Sequence, residues 1–530
     1  MTDTFPRQYA RTQRLTLGEP RTITVSPDGK RVLFLRSTNG TDTVQSLWLL
    51  HVERNTEVCI ADVRELLAAS EGHTESAEEQ ARRERAREGA GGIVQYSCDA
   101  EVQHVAFAVA GHLFVCDMQH ANEIVIKSPA SGTIYDARIS PDGQHVAYVR
   151  DRSLYTCDLQ GVERCVASEE SPDVTWGIAE FVAAEEMNRQ RGFWWAPDSS
   201  ALAVERADHS PIQSISIADP AKPTSNPSSR RYPFAGTANA LVSLHLVAIN
   251  GNRTAVTWDS LAFEYLTSVQ WNMHGLVISV MSRDQRILDI RAVDISSGQT
   301  NSLHTEHDEC WVELVVGGPS LLEKDLLMWC GERNGVRAIV VNNDVITPSH
   351  LQVRSIVRAS HDNIIFSANN VQRPQELHVF SVHISGGEVT QLSDGIGIHS
   401  AIVGGETTVL RSATLETRRS RTLVNNHHQL ANHAEEPLIG TNVSLHSVGP
   451  RGIATAVVLP ENHDGSMLPV LFDPYGGPHA QRVLNASGAY LASQWFANQG
   501  FCVVIADGSG TPGRGSTWER EVHRDLASSV

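Results

Sequence analysis

The 530-residue sequence lacks the marks of several protein classes. No stretch approaches the roughly 18 apolar residues of a membrane span, and the first ten residues lack the apolar core of a signal peptide. None of the eight cysteines forms a C-x-x-C pair, which disfavours a disulfide framework or a zinc site. Basic residues are fewer than acidic ones, with 43 Lys and Arg against 61 Asp and Glu, so the formal net charge is −18. We therefore expect a cytoplasmic protein with reduced thiols that binds neither nucleic acid nor membrane.

A turn followed by a strand recurs along the chain. Val25-Ser-Pro-Asp-Gly29, Ile139-Ser-Pro-Asp-Gly143 and Trp195-Ala-Pro-Asp-Ser199 each precede a run of alternating apolar and polar residues. Proline presets φ for such a turn, aspartate bonds the backbone ahead, and glycine accepts a positive φ. Short strands with regular turns and few helices predict an all-β propeller, with an array of β-sandwiches as the alternative. Eight blades of roughly 50 residues would fill the region.

The pattern changes near Glu435-Glu-Pro-Leu438. From there apolar strands at 452–459, 468–473 and 501–506 surround one helical stretch that ends at Gly500. Continuous apolar strands beside a helix are typical of an α/β sheet. The sequence thus predicts a propeller over residues 1–437 and the beginning of an α/β domain over residues 438–530.

Two motifs in this last part carry a family resemblance. Asp473-Pro-Tyr-Gly-Gly-Pro-His-Ala-Gln481 resembles a segment of the prolyl oligopeptidase family, and so does Asp507-Gly-Ser-Gly-Thr-Pro-Gly-Arg-Gly515 with Trp518 and Glu519. Both lie at strand ends, where α/β sheets place their chemistry. The resemblance implies that residues 438–530 are the N-terminal part of an α/β-hydrolase domain.

A third motif narrows the resemblance to the dipeptidyl peptidase IV group, in its bacterial and cytosolic branches. It is the stretch from Trp176 to Met187 with a double glutamate, and a charged segment at residues 82–87 before Gly92-Ile93 supports it. The resemblance implies a serine-type dipeptidyl peptidase that releases N-terminal dipeptides with Pro or Ala second. It implies no metal or organic cofactor, and it allows a homodimer of the full-length enzyme.

The double glutamate is the candidate substrate anchor. By resemblance, Glu185 and Glu186 bind the free N-terminus of a peptide. Two carboxylates can hold an ammonium group by charge-assisted hydrogen bonds. Their fixed distance from the nucleophile would then place the cleaved bond two residues from the N-terminus of the peptide. Bare Glu-Glu pairs also occur at 78–79, 169–170 and 435–436, and such a pair is usually solvated surface. The aromatic flanks and the helix that interrupts the strands distinguish 185–186.

Two further residues complete the predicted site. By resemblance, the hydroxyl of Tyr475 donates to the developing oxyanion, although a tyrosine at a strand end is often a packing residue. Arg83 is the best match for an arginine that binds the substrate carbonyl, with Arg82, Arg85 and Arg87 as alternatives. The alternative is an exposed helix stabilised by Glu–Arg pairs at helical spacing, in which these arginines have no role in binding.

No G-x-S-x-G pentapeptide, the usual setting of the nucleophilic serine, occurs in the sequence. We expect a chain truncated before the catalytic serine, inactive alone, with strand 501–506 left without its later neighbours. Two alternatives remain open. One is an acylaminoacyl peptidase or oligopeptidase of the same family, and the other is a non-catalytic propeller that binds peptides or proteins.

Overall fold

The computed structural model describes residues 3–68, 89, 91–118, 124–127, 133–323, 325–477 and 480–528. Within these ranges every α-helix is short, and none has the length and apolar character needed to cross a membrane. The helices are α1 (Phe5–Arg11), α2 (Val63–Ala68), α3 (Phe181–Glu186), α4 (Leu491–Ala497) and α5 (Ser516–Arg520), with 3₁₀ turns at Val52–Arg54 and Ser487–Tyr490. Arg83 and its alternatives Arg82, Arg85 and Arg87 lie outside the described residues.

The strands of the described ranges form nine sheets, numbered here in chain order, and one separate hairpin. Sheet 1 contains β1 (Arg21–Val25), β2 (Arg31–Ser37), β3 (Val44–His51), β4 (Thr56–Ala61) and β5 (Gly91–Gly92). Sheet 2 contains β6 (Ser97–Cys98), β7 (His104–Val109), β8 (His112–Asp117) and β9 (Ile124–Lys127). Sheet 3 contains β10 (Tyr135–Ile139), β11 (His145–Arg150), β12 (Ser153–Asp158) and β13 (Glu163–Ala167).

The next strands complete sheets 4 and 5. Sheet 4 contains β14 (Val174–Trp176), β15 (Phe193–Trp195), β16 (Ala201–Asp208), β19 (Leu241–Ala248) and β20 (Arg253–Val256), and the hairpin is β17 (Ser214–Ile217) with β18 (Ser228–Arg231). Sheet 5 contains β21 (Tyr265–Asn272), β22 (Gly275–Met281), β23 (Ile287–Val293) and β24 (Thr300–His307).

Four more sheets follow along the chain. Sheet 6 contains β25 (Ser320–Glu323), β26 (Leu326–Arg333), β27 (Val336–Val341) and β28 (Asp344–Val345). Sheet 7 contains β29 (Leu351–Ala359), β30 (Asn363–Asn370), β31 (His378–His383) and β32 (Thr390–Gln391). Sheet 8 contains β33 (Ile398–Gly404), β34 (Thr407–Ala413), β35 (Arg421–Val424) and β36 (His428–Gln429). Sheet 9 contains β37 (Val443–Val448), β38 (Ile453–Val458), β39 (Val470–Tyr475) and β40 (Cys502–Asp507).

The chain divides into two compact units. The first comprises Met1–Asp62, Gly89–Gly92 and Glu313–Val530, and the second comprises Val63–Glu88 and Ile93–Val312. The first unit therefore holds sheets 1 and 6 to 9, and the second holds sheets 2 to 5. Sheets 1 to 8 are built on antiparallel meanders, as in the blades of a propeller, with two additions: β5 pairs in parallel with β3 in sheet 1, and β14 and β15 both pair with β16 in sheet 4.

The predicted repeat turn is present with the expected hydrogen bonds. In the first copy the amide of Gly29 donates to the carbonyl of Ser26 at 2.9 Å, and Gly29 has a φ of 70°. The second copy repeats the bond from Gly143 to Ser140 at 2.9 Å. In the third copy Ser199 takes the same position with a φ of 63°. These turns are local, so the sequence alone could define them.

Apolar side chains fill the space between neighbouring sheets of each unit. In the second unit Val149 and Leu154 of sheet 3 share a core with Trp176, Phe193 and Val204 of sheet 4. In the first unit Val32 and Phe34 of sheet 1 share one with Val409 and Val424 of sheet 8. Burial on the sheet faces explains why the strands read as alternating or continuous apolar runs.

Sheet 9 is mixed, as sheet 1 is through its short strand β5, but it differs from the others because its strands do not follow chain order. Its order is β37-β38-β40-β39, and β39 runs parallel to β40. Strand 501–506, expected to lack its later neighbours, is β40, and it is not an edge strand, because the earlier strands β38 and β39 pair with it on either side. The edge strand is instead β39, whose Val470 and Phe472 are 63% and 60% exposed. The domain boundary predicted at residue 438 stays a prediction, and the first strand of sheet 9 begins at Val443.

Candidate functional site

The two candidate glutamates lie in an insertion that splits one strand of sheet 4. β14 pairs with residues 206–208 of β16, and β15 pairs with residues 202–204 of the same strand. β14 and β15 are thus two halves of one strand, and residues 177–192 between them leave the sheet. Glu205 of β16 lies opposite the interruption, where its amide donates to Gly192 and its carbonyl accepts from Gly177.

Close backbone contact closes the base of this insertion. A Cβ on Gly192 would lie 2.3 Å from the carbonyl carbon of Gly177, so only glycine fits there. Ile178 and Arg191 form a bridge just beyond. The insertion therefore leaves and rejoins the sheet at one point and is held by the sheet itself.

Helix α3 occupies the outer part of the insertion. The buried carboxylate of Glu180 caps its start, accepting from the amides of Val182 and Ala183 at 2.6 Å each. Ala183 and Ala184 are buried, whereas Glu185 and Glu186 are exposed. The helix ends at this acidic pair, where its carbonyl groups already carry partial negative charge. A bound cation would therefore be favoured at this end of the helix.

A buried ion pair holds the segments on either side of helix α3. Arg189 binds the carboxylate of Glu205, and these side chains are 6% and 0% exposed. Arg189 also donates to the carbonyl oxygens of Leu266 at 2.9 Å and Arg191 at 2.8 Å, while Glu205 accepts from the amide of Glu180 at 3.0 Å. Burial raises the pKa of Glu205 to about 7, although the charge of Arg189 opposes the rise. Sequence reasoning missed this pair because nothing local marks it.

Tyr475, the candidate oxyanion donor, ends β39 in the first unit. It pairs with Asp507 of β40, and its carbonyl accepts from the amide of Gly508 at 2.9 Å. The side chain is half-buried. Its hydroxyl lies close to Gly477, where a Cβ would approach it to 3.3 Å. Asp507 is buried, which raises its pKa, and it accepts from the amide of Val483 at 2.9 Å.

The loop after Asp507 is tied to sheets 6 and 7 of the same unit. Glu519, 4% exposed, accepts two hydrogen bonds from the guanidinium of Arg337, at 2.7 and 2.9 Å. The amide of Gly513 also donates to Glu519 at 3.0 Å, and Asn369 donates to the carbonyl of Gly513 at 2.7 Å. The sequence motif contained Glu519, but its partner lies 182 positions away and could not be recognised.

The predicted site residues are thus distributed over both units. Glu185 and Glu186 lie side by side at the C-terminal end of helix α3 in the second unit, and Tyr475 lies in the first unit. Ser509 of the loop after Asp507 donates to Glu521 at 2.6 Å. All eight cysteines fall in the described ranges, and none of them forms a disulfide there.

Comparison with known proteins identifies the family. Residues 93–412, more than half of the chain, match the family model described as the dipeptidyl peptidase IV (DPP IV) N-terminal region. The chain belongs to this family. The crystal structure of Porphyromonas gingivalis dipeptidyl peptidase 4 is similar, with a TM-score of 0.76 and 18% identity over 97% of this chain and 75% of that one. The predicted propeller followed by part of an α/β-hydrolase domain is confirmed, and the blade number stays a prediction.

Curated relatives match the sequence more weakly. A putative dipeptidyl aminopeptidase of Schizosaccharomyces pombe is 23% identical over 413 residues, covering 67% of this chain and 51% of the relative. Mouse (Mus musculus) dipeptidyl peptidase 8 is 33% identical over 90 residues, which are 15% of this chain and 10% of the relative. The chain thus spans at most about half the length of these relatives.

Proposed function

We propose that this chain is the substrate-anchoring part of a serine-type dipeptidyl peptidase, which releases N-terminal dipeptides with Pro or Ala second. The observation that carries the proposal is the exposed acidic pair Glu185–Glu186 at the end of a rigidly mounted helix. The free amine of a peptide binds this pair, which rejects blocked N-termini because they lack the charge. We also propose that the full-length enzyme acts in the cytoplasm, because its eight cysteines form no disulfide.

In the proposed reaction a serine hydroxyl attacks the carbonyl carbon of the second residue, and a general base that accompanies the serine takes the hydroxyl proton and later gives it to the departing amine. The hydroxyl of Tyr475 donates to the oxygen as it gains negative charge, a contribution of roughly 2.7–4 kcal/mol in other oxyanion holes. Arg83 holds the peptide carbonyl. The intermediate collapses with loss of the peptide amine, and water then releases the dipeptide. The serine is supplied from outside these 530 residues, which contain no G-x-S-x-G segment.

Peptide binding by this chain tests the amine anchor. We expect Gly-Pro-Gly amide to bind in ligand-observed NMR, and its N-acetyl form to bind at least about 10-fold more weakly, because charge-assisted hydrogen bonds are lost. The double variant Glu185→Gln with Glu186→Gln removes this difference, while Glu170→Gln, at another exposed glutamate, keeps it. Equal binding of free and acetylated peptides by the unmodified chain would refute the anchor.

A second measurement separates an enzyme from a binding module. We expect the 530-residue chain to hydrolyse neither Gly-Pro nor Ala-Pro substrates and to resist labelling by a fluorophosphonate probe, which requires an activated serine. Turnover near that of a full-length relative would contradict this expectation.

A further inference from the structure

Two arginines of the second unit lie near one carboxylate where sheets 3 and 4 meet. Arg138 is on β10, and its guanidinium binds the carboxylate of Asp136 on the same strand at 2.8 Å. Arg191 directly precedes the short segment that leads into β15. The two strands adjoin, because the indole of Trp195 donates to the carbonyl of Arg138 at 3.0 Å. Asp136, Arg138 and Arg191 are here called the arginine cluster.

The arginine cluster combines burial with an excess of positive charge. The side chains of Asp136 and Arg138 are 3% and 14% exposed, and Arg191 is partly buried. Burial and the charge of Arg138 lower the pKa of Arg191 to about 9, although the charge of Asp136 opposes the fall. Arg191 therefore stays charged at pH 7, and two guanidinium groups share a single carboxylate.

Three buried polar atoms of the arginine cluster have no hydrogen-bond partner within the described ranges. They are Nε of Arg138, Nε of Arg191 and Oδ2 of Asp136. The other carboxylate oxygen of Asp136 is occupied, since it accepts from Arg138 and, at 3.4 Å, from Gln95. Buried polar atoms in folded proteins are seldom left without partners. The cluster thus presents two charged donors and one acceptor to a ligand.

This set of donors and acceptors specifies the chemistry of the ligand. Guanidinium groups donate in a planar fork that matches the oxygens of an anion such as phosphate or carboxylate. Oδ2 of Asp136 requires in addition a ligand that donates a proton, because an ionised carboxylate can only accept. Inorganic phosphate keeps at least one O–H group at neutral pH. Sulfate and carboxylates are fully ionised there, and a phosphomonoester is largely so, so each would meet Asp136 with charge repulsion.

We infer that the arginine cluster binds inorganic phosphate, whose oxygens accept from Arg138 and Arg191 and whose hydroxyl donates to Asp136. This inference goes beyond the proposed function and does not depend on it. Arg191 also forms a bridge with Ile178 at the base of the insertion that carries helix α3. Bound phosphate therefore ties the base of this insertion to sheet 3.

Equilibrium dialysis of the 530-residue chain against labelled phosphate tests the arginine cluster. We expect a single saturable site, with sulfate and O-phosphoserine competing at least about 10-fold more weakly, because they lack the hydroxyl that Asp136 requires. Arg191→Gln lowers the affinity for phosphate at least about 10-fold, since a charge-assisted hydrogen bond is lost. The control Arg164→Gln, at an exposed arginine of β13, keeps the affinity.

Asp136→Asn tests the selection of phosphate over sulfate. Asparagine tolerates the positive φ of 51° at this position, so the variant should fold. Its amide keeps an oxygen for Arg138 and offers an N–H group in place of Oδ2. We expect the ratio of phosphate to sulfate affinity to fall towards one, a change that a purely structural role of Asp136 would not produce.

The unmodified chain alone can overturn the inference, whether or not the variants fold. Absence of saturable phosphate binding, or equal binding of phosphate and sulfate, would do so. Unchanged phosphate affinity in Arg191→Gln would also overturn it, and equal competition by O-phosphoserine would overturn the assignment to the inorganic ion. A thermal unfolding midpoint that rises with phosphate, but not with chloride at the same ionic strength, supports the site.

Discussion

A carboxylate without solvent exposure lies under the helix that carries the candidate anchor. Glu205 sits where the strand of sheet 4 is interrupted, and it binds both Arg189 and the amide of Glu180. Neither charged group can be removed alone without leaving the other buried and uncompensated. This pair therefore determines whether helix α3 keeps its position.

Replacing Glu205 by Gln tests this role. Above the pKa of about 7 that burial gives Glu205, where its carboxylate is ionised, we expect the free energy of unfolding to fall by about 3–5 kcal/mol, because the charge of Arg189 remains buried without a counter-charge. Urea denaturation followed by fluorescence measures the change. The control is Glu169→Gln, whose pair with Arg206 is partly exposed and should contribute at most about 1 kcal/mol. Similar losses in both variants would contradict the role assigned to Glu205.

A buried histidine makes stability depend on pH. His399 is 1% exposed, stacks on His378 at 5.1 Å and contacts Ser412 through Nδ1 at 2.8 Å. Burial and the neighbouring His378 lower its pKa, against weaker opposing effects of Asp394 and Glu376. The unfolded chain therefore binds a proton at a higher pH than the folded chain does.

The sign of the pH effect follows from this difference. Stability is complete above the unfolded pKa of about 6.5 and falls as the pH drops below it, by up to about 1.4 kcal/mol per pH unit. We expect His399→Gln to flatten this decline between pH 7 and 5 in urea titrations. His361→Gln, at a 70% exposed side chain, should leave the slope unchanged. An unaltered slope in His399→Gln would refute the assignment.

At the scale of elements, the exposed edge strand β39 predicts self-association. Val470 and Phe472 are largely exposed on a strand with one unpaired side, a known route to aggregation. We expect Phe472→Lys to lower the light scattering of concentrated samples without changing the urea midpoint. Leu471→Lys, by contrast, should unfold sheet 9, because Leu471 packs against its core. Unchanged scattering in Phe472→Lys would place the association elsewhere.

Elements encoded by neighbouring residues could be predicted, and those that depend on distant pairs could not. The repeat turns and the helix that interrupts the strands are local, and both are present, the helix as Phe181–Glu186. The splitting of the strand into β14 and β15 was missed, since it appears only when both halves meet β16. The sequence alone also does not show that β40 lies between β38 and β39, because the order of strands in a sheet depends on distant pairing.

At the scale of the molecule, the Arg337–Glu519 pair couples sheet 9 to the meander sheets of its unit. Both side chains are nearly fully buried, and Arg337 is held in β27 of sheet 6. We expect Arg337→Met to accelerate amide hydrogen exchange in residues 508–521 and to lower stability by about 3–5 kcal/mol. The double variant Arg337→Met with Glu519→Met should regain part of that loss. An unchanged exchange pattern in the single variant would disprove the coupling.

The first and eighth sheets meet, although the chain separates them widely. Thr407 donates to the carbonyl of Gly29 at 2.7 Å across 378 positions, and Val25 shares a core with Val409. A ribosome adding 5–20 residues per second needs about 20 to 80 s to make the missing partner. During that interval the newborn sheet 1 carries an uncovered apolar face. We therefore expect chaperones to bind this face during synthesis, even for a chain that is stable once complete.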